Sequence, residues 1–248
     1  MTPASLSESV SWFEQAVALD PTSAEAWAAL GEARATLLFH GLASPDTELP
    51  KAKDAIVKAL ALSPSLGEAR GVLARLRLVY DWDWPAAERE FREAIAQAPG
   101  HARLHQWLAF ALASRGRFDE AMAESRQALQ LSPDAYVGTT DLAVLLFFAR
   151  RYDEAIREAR AVRQVNPTMR LAHVVEGMCL SAQGLQEAAI AEYRRAVDHD
   201  PKFSGIHGRL GYAYARLGRE AEARAELAAL ERLHAPQPAP GAERALVL

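Results

Sequence analysis

Apolar and small residues recur along this chain at spacings of three, four and seven, which place them on one side of a helix. Several segments share one pattern, in which an aromatic or aliphatic residue or an alanine stands between two small or β-branched residues seven positions apart. The sets are Ala52, Ile56 and Ala59; Ala87, Phe91 and Ala94; Ala155, Ala159 and Val162; and Ala189, Tyr193 and Ala196. Ala121 and Ala128 enclose Ser125 in the same way. The pattern predicts an all-α protein whose helices approach one another closely.

A proline follows each of these segments at a nearly constant interval. Pro99, Pro133, Pro167 and Pro201 are each 34 residues apart, and Pro64 lies 35 residues before Pro99. A fixed period near 34 is typical of arrays of helix–turn–helix units, and proline ends a helix because it cannot continue one. We therefore expect six helix pairs, beginning near residues 24, 68, 102, 136, 170 and 204, after a lone helix over residues 5–19.

The first helix of a pair carries its own motif. It reads Trp27, Leu30 and Gly31 in the first pair, and His207, Leu210 and Gly211 in the last. With the small residues of the second helix and the closing proline, this motif resembles the tetratricopeptide repeat (TPR) over about residues 5–234. The resemblance implies a TPR superhelix, a right-handed α-solenoid of helix–turn–helix pairs, over residues 1–234, with a proline-rich tail over residues 235–248.

Three departures from the repeat are visible. The first pair has nine extra residues, which we place between its two helices in the segment 40–50. In the second pair, Arg75 replaces the small residue at repeat position 8, counted back from Pro99. The last pair has Ala235 where the others have proline, as expected of a terminal unit.

The resemblance also implies which side chains face a ligand. In TPR proteins, positions 2, 5, 9, 12 and 13 of each first helix line the concave face. The predicted groove is apolar and aromatic, with Val72, Leu76, Tyr80, Gln106, Phe110, Val144, Phe147, Phe148, Val174, Met178 and Tyr212. Chaperone-binding TPR proteins hold a C-terminal carboxylate with lysine, asparagine and arginine, a set that this chain lacks. The alternative is that position 9 packs between first helices and belongs to the core.

Two tryptophans are predicted to be exposed contacts. Trp82 occupies the glycine position of a turn, in the segment Tyr80-Asp81-Trp82-Asp83-Trp84-Pro85, and Trp12 lies on the unpaired first helix. Trp84, by contrast, aligns with Phe118 and is expected to pack at the start of a second helix. Self-association through the lone helix is one role for Trp12.

Composition narrows the choice of partner and location. The formal net charge is −4 with no basic run, which argues against nucleic acid as a ligand. No apolar run approaches the length of a membrane span, and the first residues do not resemble a secretion signal, so we expect cytoplasmic residence and no membrane partner. Cys179 excludes an intramolecular disulfide because it is the only cysteine, and we expect a buried, inert thiol.

Catalytic and metal-binding motifs are missing from the sequence. His101 and His105 have the spacing of two metal ligands on a helix, but no third ligand lies at a suitable distance. His105 occupies repeat position 4, where the repeat usually packs an aromatic residue. No phosphate-binding loop, nucleophile elbow or zinc-protease motif occurs. We expect no catalytic residues, no cofactor and no metal; an enzyme or a histidine-based metal binder is the remote alternative.

The sequence thus predicts a protein-interaction scaffold that binds a protein or peptide segment in an apolar groove. A narrower resemblance links the chain to TPR tails of bacterial winged-helix regulators, class III adenylate cyclases and some kinases. It implies the alternative of a ligand-sensing regulatory tail. The identity of the partner and the oligomeric state stay open at this stage.

Overall fold

The computed structural model describes residues 3–132, 136–199 and 204–233, and in these ranges the chain is helical with no strand. The predicted all-α class is therefore confirmed. The predicted tail, residues 235–248, lies outside the described residues. The chain divides into two compact units, Met1–Ser132 and Pro133–Leu248, and each is described by itself.

The Met1–Ser132 unit holds a single helix followed by three helix pairs. Its helices are α1 (Pro3–Leu19), α2 (Ala24–Phe39), α3 (Pro45–Leu62), α4 (Gly67–Leu76), α5 (Trp84–Gln97), α6 (Ala102–Ala113) and α7 (Phe118–Leu131), with a π-helical segment, Arg77–Asp81, after α4. Each helix packs on the next, and the first helices of successive pairs, α2, α4 and α6, also contact one another.

The Pro133–Leu248 unit repeats this arrangement with three pairs. Its helices are α8 (Tyr136–Phe148), α9 (Tyr152–Val165), α10 (Arg170–Ala182), α11 (Gln186–His199), α12 (Ser204–Arg216) and α13 (Glu220–Leu233). Here too the first helices α8, α10 and α12 contact one another as well as their own partners. The face formed by the first helices of a unit is called its first-helix face below.

The small residues of the second helices lie where the pattern places them. Ala52, Ala59, Ala87, Ala94, Ala121, Ala128, Ala155, Ala189 and Ala196 are all buried. Their lack of side-chain bulk lets first and second helices approach closely. At Gly31, an added Cβ would lie 2.5 Å from Ile56, which shows how close this approach is.

The extra residues of the first pair lengthen a helix. They are predicted between the helices, but α3 begins at Pro45 and runs for 18 residues, with Pro50 inside it. Pro45 can begin a helix because the first helical N–H groups need no partner in the helix. The insertion therefore extends α3, and only residues 40–44 connect α2 to it.

The turns between paired helices need a left-handed residue. Gly41, Gly116, Gly184 and Gly218 supply it, each with a φ between +65° and +82°. Glycine adopts this conformation without the steric clash of a Cβ. Trp82 has the same conformation, with a φ of +57°, so it occupies the glycine position of its turn, as the sequence predicts.

Candidate functional site

Repeat position 9 remains accessible on every first helix. Counted from the start of each helix, this position carries residues that are partly or largely exposed: Glu32, Arg75, Phe110, Val144, Met178 and Tyr212. Glu32, Arg75 and Phe110 belong to the Met1–Ser132 unit, and the other three belong to the second unit. Position 9 therefore marks the first-helix face in both units.

The register of α4 differs from the one that the prolines suggest. The second pair has 35 residues, and the π-helical segment Arg77–Asp81 accommodates the extra one, since a π turn bonds residue i to residue i+5. Counted from Gly67, the small residue at position 8 is Ala74, which is fully buried, and Arg75 occupies position 9. The prediction that Arg75 replaces a small core residue is therefore wrong.

Three predicted groove residues belong to the core instead. Val72 and Leu76 are buried in the cluster that joins α2, α3 and α4, because counting back from Pro99 moved them by one position. Val174, at position 5 of α10, is buried as well. Gln106, at position 5 of α6, is partly exposed. Position 5 thus faces inward in α10 and stays accessible in α6.

Aromatic rings surround Arg75 on the first-helix face of the Met1–Ser132 unit. Its guanidinium carbon lies 3.7 Å from the ring centre of Phe39 and 5.2 Å from that of Trp107. Tyr80 stacks on Phe39 with ring centres 6.1 Å apart. Burial lowers the pKa of Arg75 from its usual range, as does the nearby charge of Arg103. Burial also raises the pKa of the Tyr80 hydroxyl.

An ion pair crosses the same face. Arg103 on α6 donates to Glu32 on α2 over 2.9 Å, although 71 residues separate them. A shallow depression of about 440 Å³ lies between the starts of α2 and α4, with Glu25, Glu32 and Glu68 along it. The sequence predicts an apolar and aromatic groove, whereas in this unit the face combines aromatic rings with charged groups of both signs.

In the second unit, the first-helix face is more apolar. Phe148, at the end of α8, is 57% exposed, and its ring meets that of Phe147 edge-on at 5.5 Å. Phe147 is half-buried because its ring also lies 5.8 Å from Tyr152, at the start of α9. Val144 and Met178 are partly exposed. The Tyr212 hydroxyl lies 3.5 Å from the guanidinium of Arg216.

Both tryptophans predicted as exposed contacts are accessible. Trp12 on α1 is 69% exposed and Trp82 is 72% exposed. Trp84 begins α5 and is partly buried, with its ring 6.3 Å from that of Trp82. The carboxylate of Asp81 pairs with Lys53 on α3 at 2.6 Å, which ties this turn to the preceding pair.

The histidines at position 4 have carboxylate partners nineteen residues further along the chain. His105 lies 2.7 Å from Glu124, and the same contact joins His173 to Glu192 and His207 to Glu226. The sequence contains the signal, since glutamates 90, 124, 158, 192 and 226 recur every 34 residues. At these three positions, the polar pairing takes the place of the aromatic packing that the repeat predicts for position 4.

His101 and His105 point to different partners. His101 lies 3.2 Å from Glu68, whereas His105 contacts Glu124. No group of three or more metal-ligating side chains converges within the described ranges.

In the part of the chain that the structure describes, no helix is long and apolar enough to cross a bilayer. Cys179 is buried, and burial raises the pKa of its thiol to about 12, so the thiol is protonated at neutral pH.

The chain is similar to known proteins in both sequence and structure. Family models of the tetratricopeptide repeat match residues 140–202 and 187–238, and a second such model matches residues 83–125. These matches together cover more than half of the chain. No curated protein sequence matched the chain.

Several solved structures share the fold at low sequence identity. YrrB, described as a TPR protein with an unusual peptide-binding site, is 20% identical with a TM-score of 0.54, over 76% of this chain and 92% of its own. The Pseudomonas aeruginosa protein pilF is 18% identical with a TM-score of 0.65, over 86% and 93%. A chain of the Cut9–Hcn1 hetero-tetramer of APC/C is 14% identical with a TM-score of 0.75, over 99% of this chain and 45% of its own.

The matching family models and the stacked helix pairs indicate the same family. TPR proteins are in general non-enzymatic, and their stacked helix pairs present surfaces for other proteins. The chain belongs to the tetratricopeptide repeat family of protein-interaction scaffolds.

Proposed function

We propose that this chain binds an apolar or amphipathic segment of a partner protein on its first-helix faces. The observation that carries the proposal is the exposure of Phe148 at the end of α8, beside the half-buried ring of Phe147. Exposed apolar patches mark interaction sites, and aromatic side chains provide much of the binding energy at interfaces. Phe110, 36% exposed at position 9 of α6, offers a similar anchor in the other unit.

A segment held in this way would be recognised through side-chain anchors. Successive first helices lie side by side, so a bound segment that crosses them meets a new position-9 side chain at each repeat. In the second unit these side chains are Val144, Met178 and Tyr212, which supply apolar contact and one hydroxyl. We infer a ligand whose apolar residues recur along its length.

The experiment compares the Phe148→Ser variant with a control of similar exposure. Leu185, in the turn before α11, is 53% exposed and lies off the first-helix face, so Leu185→Ser removes comparable apolar surface elsewhere in the same unit. Partners captured from native lysate by the wild-type chain are identified by mass spectrometry, purified and titrated. We expect Phe148→Ser to weaken binding at least about tenfold, with Leu185→Ser unchanged.

Thermal unfolding separates loss of binding from loss of fold. We expect Phe148→Ser to retain the wild-type midpoint, because a largely exposed ring adds little to the core. Phe147 is less suitable for this test, since its ring also packs on Tyr152. Equal binding by the wild type and Phe148→Ser, or a collapsed midpoint for this variant, contradicts the proposal.

The regulatory alternative makes a different prediction for the ligand. A sensory tail of a bacterial regulator would bind a small molecule, and its output domain would be a separate part of a longer protein. Under our proposal, the isolated chain binds a polypeptide with a measurable affinity. A ligand that survives protease treatment of the lysate favours the sensory role instead.

A further inference from the structure

Arg75 is a half-buried cation without an acidic partner among the described residues. Its guanidinium lies over the ring of Phe39 and near that of Trp107. It forms no hydrogen bond or ion pair with any residue that the structure describes. Stacking on an aromatic ring occupies the flat face of a guanidinium and leaves its N–H groups, which lie in the plane, available as donors. Arg75 therefore presents a fork of donors on the first-helix face.

Two arginines whose side chains are largely shielded from water have carboxylate partners. Arg34 contacts both Glu14 and Glu48, and Arg163 contacts Glu176 and Glu192. Burial lowers the pKa of Arg75, and the positive charge of Arg103 lowers it further. A buried charge is unfavourable unless it is paired, so Arg75 is a cation that an anionic ligand would stabilise.

We infer that Arg75 binds a carboxylate group of a peptide ligand, with Phe39, Tyr80 and Trp107 in contact with the apolar side chain beside that carboxylate. A planar carboxylate matches the guanidinium fork, which can donate to both oxygens. Arg103 is already paired with Glu32 across the face, so one positive charge is left uncompensated. One charge suits a carboxylate better than a doubly charged phosphate. This inference rests on the proposed function, because it names a group on the bound peptide.

The carboxylate could end a chain or belong to an aspartate within it. Three probes distinguish these sources: acetyl-Gly-Leu-Leu with a free C-terminal carboxylate, the same peptide as its amide, and amidated acetyl-Leu-Asp-Leu. Inorganic phosphate is a fourth probe. Each is titrated into the ¹⁵N-labelled full chain, and the Arg75 Nε–H and Trp107 indole N–H signals are followed by NMR.

We expect saturable shifts of both signals with at least one carboxylate peptide and at least about tenfold weaker binding of the neutral amide, because charge-assisted hydrogen bonds are the strong ones. Binding of the free acid alone assigns a chain terminus, and binding of the aspartate peptide assigns an internal site. Equal binding of the amide, no response to any peptide, or tighter binding of phosphate than of the carboxylates overturns the inference.

Substitutions at Arg75 test whether this residue binds the carboxylate of the peptides. Arg75→Lys keeps the charge but not the fork, and we expect it to bind at least about tenfold more weakly; Arg75→Gln should abolish binding. Arg92→Gln is the control, because Arg92 is an exposed arginine on α5, off the first-helix face. Wild-type affinity in a folded Arg75→Lys variant overturns the inference, as does equal loss in Arg92→Gln.

The test of Arg75 and the test of Phe148 can fail independently of each other. Phe148 lies in the second unit and Arg75 in the first. Carboxylate binding that needs Arg75, with partner capture indifferent to Phe148, would support the inference and contradict the proposed anchor. The reverse result would leave the Phe148 surface in place and remove the Arg75 site.

Discussion

The guanidinium of Arg163 on α9 pairs with the buried carboxylate of Glu176 on α10. At the same two repeat positions, other junctions have aliphatic residues: Ile95 and Leu108 in the Met1–Ser132 unit, and Val197 and Leu210 in the unit that contains Arg163. One junction of the array thus has a charged pair where the others have an apolar one. Arg163 also contacts Glu192 at 2.7 Å, and Arg160 contacts Glu176 from the exposed side at 2.7 Å.

Replacing both members of this pair should be tolerated better than replacing one. Arg163→Leu leaves Glu176 buried with only Arg160 near it, and we expect a loss of about 3 kcal/mol in the free energy of unfolding. Adding Glu176→Leu recreates the aliphatic junction of the other repeats and should recover most of that loss. Denaturant unfolding of the two single variants and the double variant measures the coupling.

Arg160→Leu is the control for this prediction. Its side chain is 60% exposed and contacts the same carboxylate, so its removal should change stability by less than about 1 kcal/mol. A double variant that is less stable than Arg163→Leu would show that the charged pair is needed by the surrounding helices.

Two glycines should respond in opposite ways to an added methyl group. At Gly177 on α10, a Cβ would lie 2.5 Å from the ring of Tyr193, so Gly177→Ala should destabilise the chain by about 1–3 kcal/mol through overpacking. At Gly100 the space is open, and Gly100→Ala should be neutral or stabilise by up to about 1 kcal/mol. The thermal midpoints of the two variants and of the wild type test both expectations. A wild-type midpoint for Gly177→Ala would mean that the ring of Tyr193 moves aside easily.

Most of the fold can be predicted from spacing alone. Six of the helices begin at residues 24, 67, 102, 136, 170 and 204, within one residue of the predicted starts. This works because a buried alanine such as Ala121 or Ala155 is required wherever two helices approach closely, and the requirement repeats with the unit. The alanine and proline positions therefore carry the architecture.

Which residues of α4 are exposed on the first-helix face cannot be predicted from the spacing of the prolines. A one-residue insertion leaves the same spacing between Pro64 and Pro99 whether it lies in a turn or in a π turn of a helix. Only the structure shows that it lies at Arg77–Asp81, which moves Arg75 to the surface and Val72 and Leu76 into the core. The contact between Arg75 and Phe39 joins two helix pairs, so no local pattern indicates it.

The thiol of Cys179 should be unreactive until the chain unfolds. It is buried in α10, and burial raises the pKa of the thiol to about 12, so the reactive thiolate is scarce at pH 8. We expect no reaction of the native chain with a disulfide reagent such as DTNB over minutes. In denaturant, the single thiol should release one equivalent of thionitrobenzoate per chain. Rapid labelling of the native chain, with unchanged circular dichroism, would contradict the burial of this residue.

Asp141 on α8 should make stability depend on pH between about 4 and 6. Burial raises the pKa of this carboxyl from its ordinary value of 3.8 to about 6. As pH rises through this window, the unfolded chain releases the proton while the folded chain retains it. Folding then binds a proton, so the folded state loses stability with rising pH, and the loss is complete above pH 6.

Replacing this carboxyl by an amide should remove that dependence. Relative to the wild type, Asp141→Asn should raise the free energy of unfolding by on the order of 2–3 kcal/mol at pH 7 and by less than about 1 kcal/mol at pH 4, where the wild-type carboxyl is largely protonated in the folded state. Denaturant unfolding from pH 3.5 to 7.5 gives the difference between variant and wild type, which removes the contribution of all other titrating groups. Asp198→Asn, the same substitution at an exposed position of α11, is the matched control. If the Asp141→Asn difference is also constant across this range, the carboxyl ionises as readily in the folded chain as in the unfolded one, and its burial does not govern its charge.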